Sequence, residues 1–178
     1  MEWIDIPTID KTSVEEASVF LDGHEQFELD IRRVDFFFRA LHFLHGFGKC
    51  DRLHGHDYRF EVRVSGEQEE QDVVVDFQDL KSVLLQIKEQ FEYKILVARH
   101  SPHQHIKQDL GNHQVVVHLP EKTYHFPTSQ VLFLPIRATT VEELTQLLYT
   151  LVKERFPSLL VRVSLFETLG NKVTYGDR

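Results

Sequence analysis

From His56 to Ser65 the sequence alternates apolar and polar side chains without a break. Tyr58, Phe60, Val62 and Val64 fall on one parity, and Arg59, Glu61 and Arg63 on the other. This is the pattern of a half-buried strand, and a slip of one residue would drive the three charges into the core. The pattern therefore fixes a strand, its buried face and its register together. His54 and His56 share the apolar parity, so both belong to the half-buried face rather than to the solvent face.

A second alternating run precedes it. Phe27, Leu29 and Ile31 share one parity, Arg32-Arg33 breaks it, and Val34, Phe36, Phe38, Ala40 and His42 resume on the other. This predicts a strand over 27–44 with a bulge near Arg32 or Arg33. His42 then lies on the same face as Phe36 and Phe38. Three neutral imidazoles with one open position are the usual ligand set of a catalytic zinc. The chain has eleven histidines, so chance clustering competes with that reading. The strand pattern, a histidine ending an apolar strand and a nearby cysteine favour the metal. Cys50, the only cysteine, cannot form an intrachain disulfide, which leaves packing or chemistry as its use.

Length and charge bound the remaining classes. At 178 residues the chain suits one domain with a real core. A net charge of −8 without any Lys/Arg run argues against a nucleic-acid surface. The start, Met1-Glu2-Trp3-Ile4-Asp5, lacks the order of a signal peptide, and no apolar run approaches a membrane span. One cysteine fits a reducing cytoplasm. Residues 1–26 are mixed and acidic and read as an N-terminal extension; 27–178 read as a single domain.

Residues 43–52 contain two glycines and read as a loop, and Gly66 to Asp72 as an acidic turn, so the first two strands form a hairpin. Leu80, Val83, Leu84, Ile87 and Phe91 follow helical spacing behind Asp76, which suits an N-cap; this stripe is core. Lys94 to Val97 reads as extended. An insertion spans about 98–137: a polar loop with His100, His103, His105 and His113, then Val115–Leu119 and Val131–Ile136 as an added hairpin. The loop histidines suit solvent better than a metal. Thr140-Val141-Glu142-Glu143 is a capping box for a helix burying Leu144, Leu147, Leu148, Leu151 and Val152, which stops before Pro157. Leu159 to Thr168 is a strand, and Lys172 to Tyr175 is the last. Glu167 continues the buried parity of Leu159, Val161, Val163 and Leu165. A carboxylate there is costly without a partner. It either pairs with an arginine or backbone amide, or receives the paired N–H donors of a heterocycle. The order predicts an α+β layer: an antiparallel four-stranded sheet, two helices on one face and an inserted hairpin. Its open edges would be covered by subunit association.

Phe38-x3-His42, Cys50-x3-His54-Gly55-His56, Val75-Asp76-Phe77-x2-Leu80, Thr140-x-Glu142 and Glu167-Thr168 together resemble the 6-pyruvoyl-tetrahydropterin synthase / 6-carboxytetrahydropterin synthase family over about 27–176. The resemblance implies the tunnelling fold (T-fold), in which subunits join their sheets into a barrel as homo-trimers, usually stacked into homo-hexamers. It implies zinc on His42, His54 and His56, and 7,8-dihydroneopterin triphosphate as substrate, with triphosphate eliminated and the side chain rearranged or cleaved. It implies Cys50 as a catalytic acid/base, Glu167 as the anchor of the pterin ring, Thr140 beside that pocket, and sites lying between subunits. For a microbial member it points to the 6-carboxytetrahydropterin reaction on the route to deazaguanine-modified tRNA, with the pyruvoyl reaction next. One departure stands out. The family's Asp-His pair, the proton relay of the cysteine, falls here on Glu92 and Tyr93. Glutamate can replace aspartate, but a phenol with an ordinary pKa of about 10 is a poor base near neutral pH. That departure leaves a second possibility, a non-catalytic or repurposed pterin-binding zinc protein. Arg39 suits a phosphate or a surface ion pair equally.

Overall fold

The computed structural model describes residues 27–31, 36–67, 73–168 and 170–178. The strands are β1 (Phe27–Ile31), β2 (Phe37–His42), β3 (His54–Gly66), β4 (Lys94–Ala98), β5 (His105–Asp109), β6 (Gln114–His118), β7 (Thr123–Pro127), β8 (Val131–Leu134), β9 (Leu160–Thr168) and β10 (Asn171–Gly176). The helices are α1 (Phe77–Phe91), between β3 and β4, and α2 (Val141–Arg155), between β8 and β9. The proposed N-terminal extension lies outside the described residues.

The alternating run of the sequence is β3, 13 residues long and central to the main sheet. One edge of β3 pairs antiparallel with β1 and β2, and the other with β9. The chain advances six residues from Ile31 to Phe37 while β3 advances three from Val62 to Arg59, and this odd difference changes the parity. The predicted bulge at Arg32 or Arg33 itself falls outside the described residues. Phe36, Phe38, Tyr58, Phe60 and Val62 are buried against Leu80, Leu84 and Phe91 of α1 and Leu144 and Leu148 of α2. Both helices therefore cover one face.

Asp76 caps α1, its carboxylate accepting the Gln78 N–H at 2.7 Å. Thr140 caps α2 through the Glu143 N–H at 3.4 Å. The expected capping box is not reciprocal, because Glu143 Oε2 accepts instead from the Arg137 N–H at 3.4 Å. Thr145 is fully buried in α2, while Leu147 and Leu151 pack at the margin of the core.

The four-stranded antiparallel sheet of the sequence reading is corrected to a seven-stranded mixed sheet in the order β10-β9-β3-β2-β4-β8, with β1 on β3. β4 runs parallel to β2, and β8 parallel to β4. The insertion is also different from a hairpin of Val115–Leu119 with Val131–Ile136. β8 joins the main sheet, whereas β5, β6 and β7 form a separate antiparallel three-stranded sheet. β5 is polar and mostly exposed, so no alternation marked it within the predicted loop. Val115, Val117 and Phe126 of the small sheet pack on Ile95 and Val97 of β4 and on Phe43. That second core ties the insertion to the segment following His42. Among the described residues no helix is long and apolar enough to cross a membrane.

Candidate metal centre

The hairpin register sets His42 opposite His54 and Ala40 opposite His56. Parity puts all three imidazoles on one face, and one ligand nitrogen from each lies within 4.8 Å of the others. His42 Nε2 and His54 Nε2 are 3.1 Å apart. The opposite nitrogens are held from behind. His42 Nδ1–H donates to the Thr139 carbonyl at 2.8 Å, with the Tyr58 hydroxyl oxygen 3.2 Å away. His54 Nδ1–H donates to the Arg52 carbonyl at 2.7 Å. With Nδ1 protonated, both rings turn Nε2 lone pairs towards each other, an arrangement that a cation relieves. His56 Nε2 is buried and, among the described residues, has no hydrogen-bond partner. The donor set therefore fits a metal such as zinc.

Electrostatics favour neutral ligands. Burial, helped by the His54 and His56 rings and opposed by the Thr139 hydrogen bond, lowers His42 to about 4. Burial likewise lowers His56, against the pull of the Glu167 carboxylate. Metal binding at neutral pH then displaces no proton from His42.

Glu167 stands on β9 on the triad's face. Its Oε1 lies 3.7 Å from His42 Nε2 and 3.6 Å from His56 Nε2. In this structure the carboxylate faces the metal ligands, not an arginine. Burial, and then the charges of Glu167 and Cys50, push the Tyr58 phenol upward.

Cys50 is half-buried in a single 3₁₀ turn, Gly48–Asp51. Its carbonyl accepts the Leu44 N–H at 2.8 Å and closes the loop between β2 and β3. Gly46 and Gly48, at φ +83° and +60°, provide left-handed conformations within that loop. Lys122, from the insertion, donates to both the carbonyl and the Oδ2 of Asp51 at 2.9 Å. The Lys122 hydrogen bond, against opposing burial, and the nearby Lys122 and His45 charges hold the Asp51 carboxyl below its usual range.

Glu92 and Tyr93 are not brought to the triad within the chain. They form the turn from α1 to β4 and bind Arg39, whose side chain alternates to the other face of β2. Arg39 donates its backbone N–H and its Nη1 to Glu92, both at 2.9 Å, and Nη1 also to the Tyr93 hydroxyl at 3.1 Å. Arg39 thus forms the ion pair rather than standing free for a phosphate. Tyr93 has φ +57°, a conformation uncommon for a side chain of its size. Thr140 spends its hydroxyl on the α2 cap, and it is the neighbouring Thr139 that touches the triad. The sequence reading did not name Thr139, and only the Thr139-Thr140 doublet marked it. Nor did it name Asp51 or Lys122, which meet across the fold. Among the loop histidines, His100, His103, His105 and His113 are all exposed as expected, and His103 also packs on the His45 ring with centroids 5.2 Å apart.

A mixed sheet that brings three imidazoles together on one face defines an α+β protein with a candidate metal site. Residues 31–178 match the 6-pyruvoyl tetrahydropterin synthase family, and the chain belongs to that family of lyases. An Aquifex aeolicus 6-carboxy-5,6,7,8-tetrahydropterin synthase is 29% identical over 137 residues, 72% of this chain and 76% of its own. A Methanocaldococcus jannaschii protein that carries the same name provisionally is 26% identical over 145 residues, 78% of this chain and 88% of its own. The fold matches the 6-pyruvoyl tetrahydropterin synthase of Plasmodium vivax with a TM-score of 0.78 at 22% identity, covering 87% of this chain and 99% of that one.

Proposed function

We propose that the protein is a zinc-dependent lyase acting on 7,8-dihydroneopterin triphosphate in the cytoplasm. Its reaction is that of a 6-carboxytetrahydropterin synthase, feeding a deazaguanine pathway, with the pyruvoyl reaction as the nearest alternative. The observation that carries this reading is the preorganised triad: one ring nitrogen from each imidazole lies within 4.8 Å of the others, with Nδ1–H of His42 and His54 fixed by carbonyls at 2.8 and 2.7 Å. Zinc held there supplies a Lewis acid for side-chain oxygens and stabilises developing negative charge. Cys50, as thiolate, takes and returns a carbon-bound proton. Glu167 anchors the pterin through its amino and ring N–H groups and turns away from the triad to do so. Thr140 borders that pocket. Homo-trimers, stacked as hexamers, bring the Glu92–Tyr93 turn of one subunit towards the site of another.

A second reading, a repurposed pterin-binding zinc protein, is favoured by one observation: Tyr93 is bound to Arg39. One experiment separates the two. Zinc-loaded protein and its Cys50→Ala variant are incubated with 7,8-dihydroneopterin triphosphate, and products are resolved by mass. Release of triphosphate with a carboxy- or pyruvoyl-pterin, lost in the variant, establishes the lyase. Pterin binding without turnover establishes the repurposed protein.

A further inference from the structure

The loop that carries Cys50 holds a second pair of groups suited to proton chemistry. The Leu44–Cys50 backbone hydrogen bond sets the next residue of each arm, His45 and Asp51, side by side. His45 Nδ1 and Asp51 Oδ1 are 3.7 Å apart. Both atoms are buried, and among the described residues neither has a hydrogen-bond partner. Two complementary groups left unpartnered this close are costly unless they meet, and closing the gap needs a shift of under about 1 Å. The other oxygen of Asp51 is fixed by Lys122 at 2.9 Å, so the carboxylate is anchored and ionised on the far side from the ring. His45 also lines a cavity of about 230 Å³, together with Phe43, His103, Arg137 and Thr139. Thr139 is the residue whose carbonyl holds His42. The cavity is thus separated from the triad by a single residue.

We propose that His45, oriented by Asp51, is a further acid/base residue of this site. The proposal rests on the lyase reading. Asp51 is the positioning residue: its Oδ1 accepts from Nδ1–H and so leaves the Nε2 lone pair for the substrate. The step moves one proton. An enediol O–H of the rearranging side chain gives its proton to Nε2, and the O–H electron pair becomes the C=O bond. The C=C pair then takes the proton back on carbon, which leaves His45 neutral. During the step, the imidazolium pairs with Asp51, while Lys122, His103 and Arg137 are the other charged or titratable groups around it. The Glu92–Tyr93 turn, bound to Arg39 on the opposite face, cannot supply this role within the chain.

The test uses the zinc-loaded full chain in two measurements. Long-range nitrogen–proton NMR of the histidine rings should show His45 as the Nδ1–H tautomer, and Asp51→Asn should abolish that preference. In turnover of 7,8-dihydroneopterin triphosphate, His45→Ala should lower kcat roughly 100-fold with zinc content and KM unchanged. Added imidazole should restore at least about tenfold of that loss, and should do nothing for His54→Ala. Retention of kcat within about twofold by His45→Ala, a loss that imidazole does not repair, or an Nε2–H tautomer in the wild type overturns the assignment alone. An inactive wild type overturns the lyase reading and this role together.

Discussion

The side chain most constrained by its surroundings is His42. It is fully buried, tied to Thr139, and lowered to about 4 by that burial. The unfolded chain binds its proton near pH 6.5, and the native metal-free protein only near 4. Between those values the unfolded state holds more protons, so stability falls as pH falls from about 6.5 to 4 and levels off below. The loss is about 3 kcal/mol, with His56 adding in the same direction. Urea unfolding of metal-free protein at roughly pH 7 and pH 4.5 measures it. An equal drop in His42→Gln would show that His42 is not its source. The metal assignment has its own check. His54→Ala should lose most bound zinc by elemental analysis, and full retention of metal would remove His54 from the ligand set.

At the scale of elements, the insertion emerges as a buttress. β6 and β7 pack on β4 and Phe43, the Tyr124 hydroxyl accepts the Leu53 N–H at 3.3 Å, and Lys122 clamps Asp51. The cysteine loop is therefore held by contacts that no local pattern announces. Lys122→Met should speed hydrogen exchange of the Leu44 amide roughly tenfold while leaving β3 amides unchanged. Unchanged exchange at Leu44 would mean that the loop stands without the insertion. The helices depend on more ordinary devices. Asp76→Ala removes the cap of α1 and should cost about 1 kcal/mol in urea unfolding.

For the whole molecule, closure at the C-terminus matters. Asp177 accepts from Val161 N–H and Lys153 at 2.9 Å each and from the Tyr149 hydroxyl at 2.8 Å, fastening the end of the chain to α2 and β9. Gly176 at φ +149° makes this approach possible, since a Cβ there would lie 2.2 Å from the Val161 carbonyl oxygen. Gly176→Ala should destabilise by about 2 kcal/mol, and a variant as stable as wild type would show that the closure yields easily. The assembly is tested by light scattering. A trimer or hexamer fits sites shared between subunits, whereas a monomer would leave Glu92 and Tyr93 outside any site.

Alternation alone determined β3, the buried parity of β2 and β9, and the strand face on which each of His42, His54 and His56 stands, because strand period is a local property of sequence. Helical spacing and Asp76 likewise located α1. What the linear pattern could not carry was pairing between distant segments. The parallel joining of β4 to β2 and of β8 to β4, the separate sheet of β5 to β7, and the Lys122–Asp51 clamp depend on which surfaces meet after the chain has folded back. The same holds inside the site. Parity put Glu167 on the correct face, but its turn towards the histidines, the Thr139 carbonyl behind His42 and the Arg39 grip on Glu92 and Tyr93 are distances across the fold. Sequence sets which side of a strand a group occupies, and tertiary packing alone sets what it meets there.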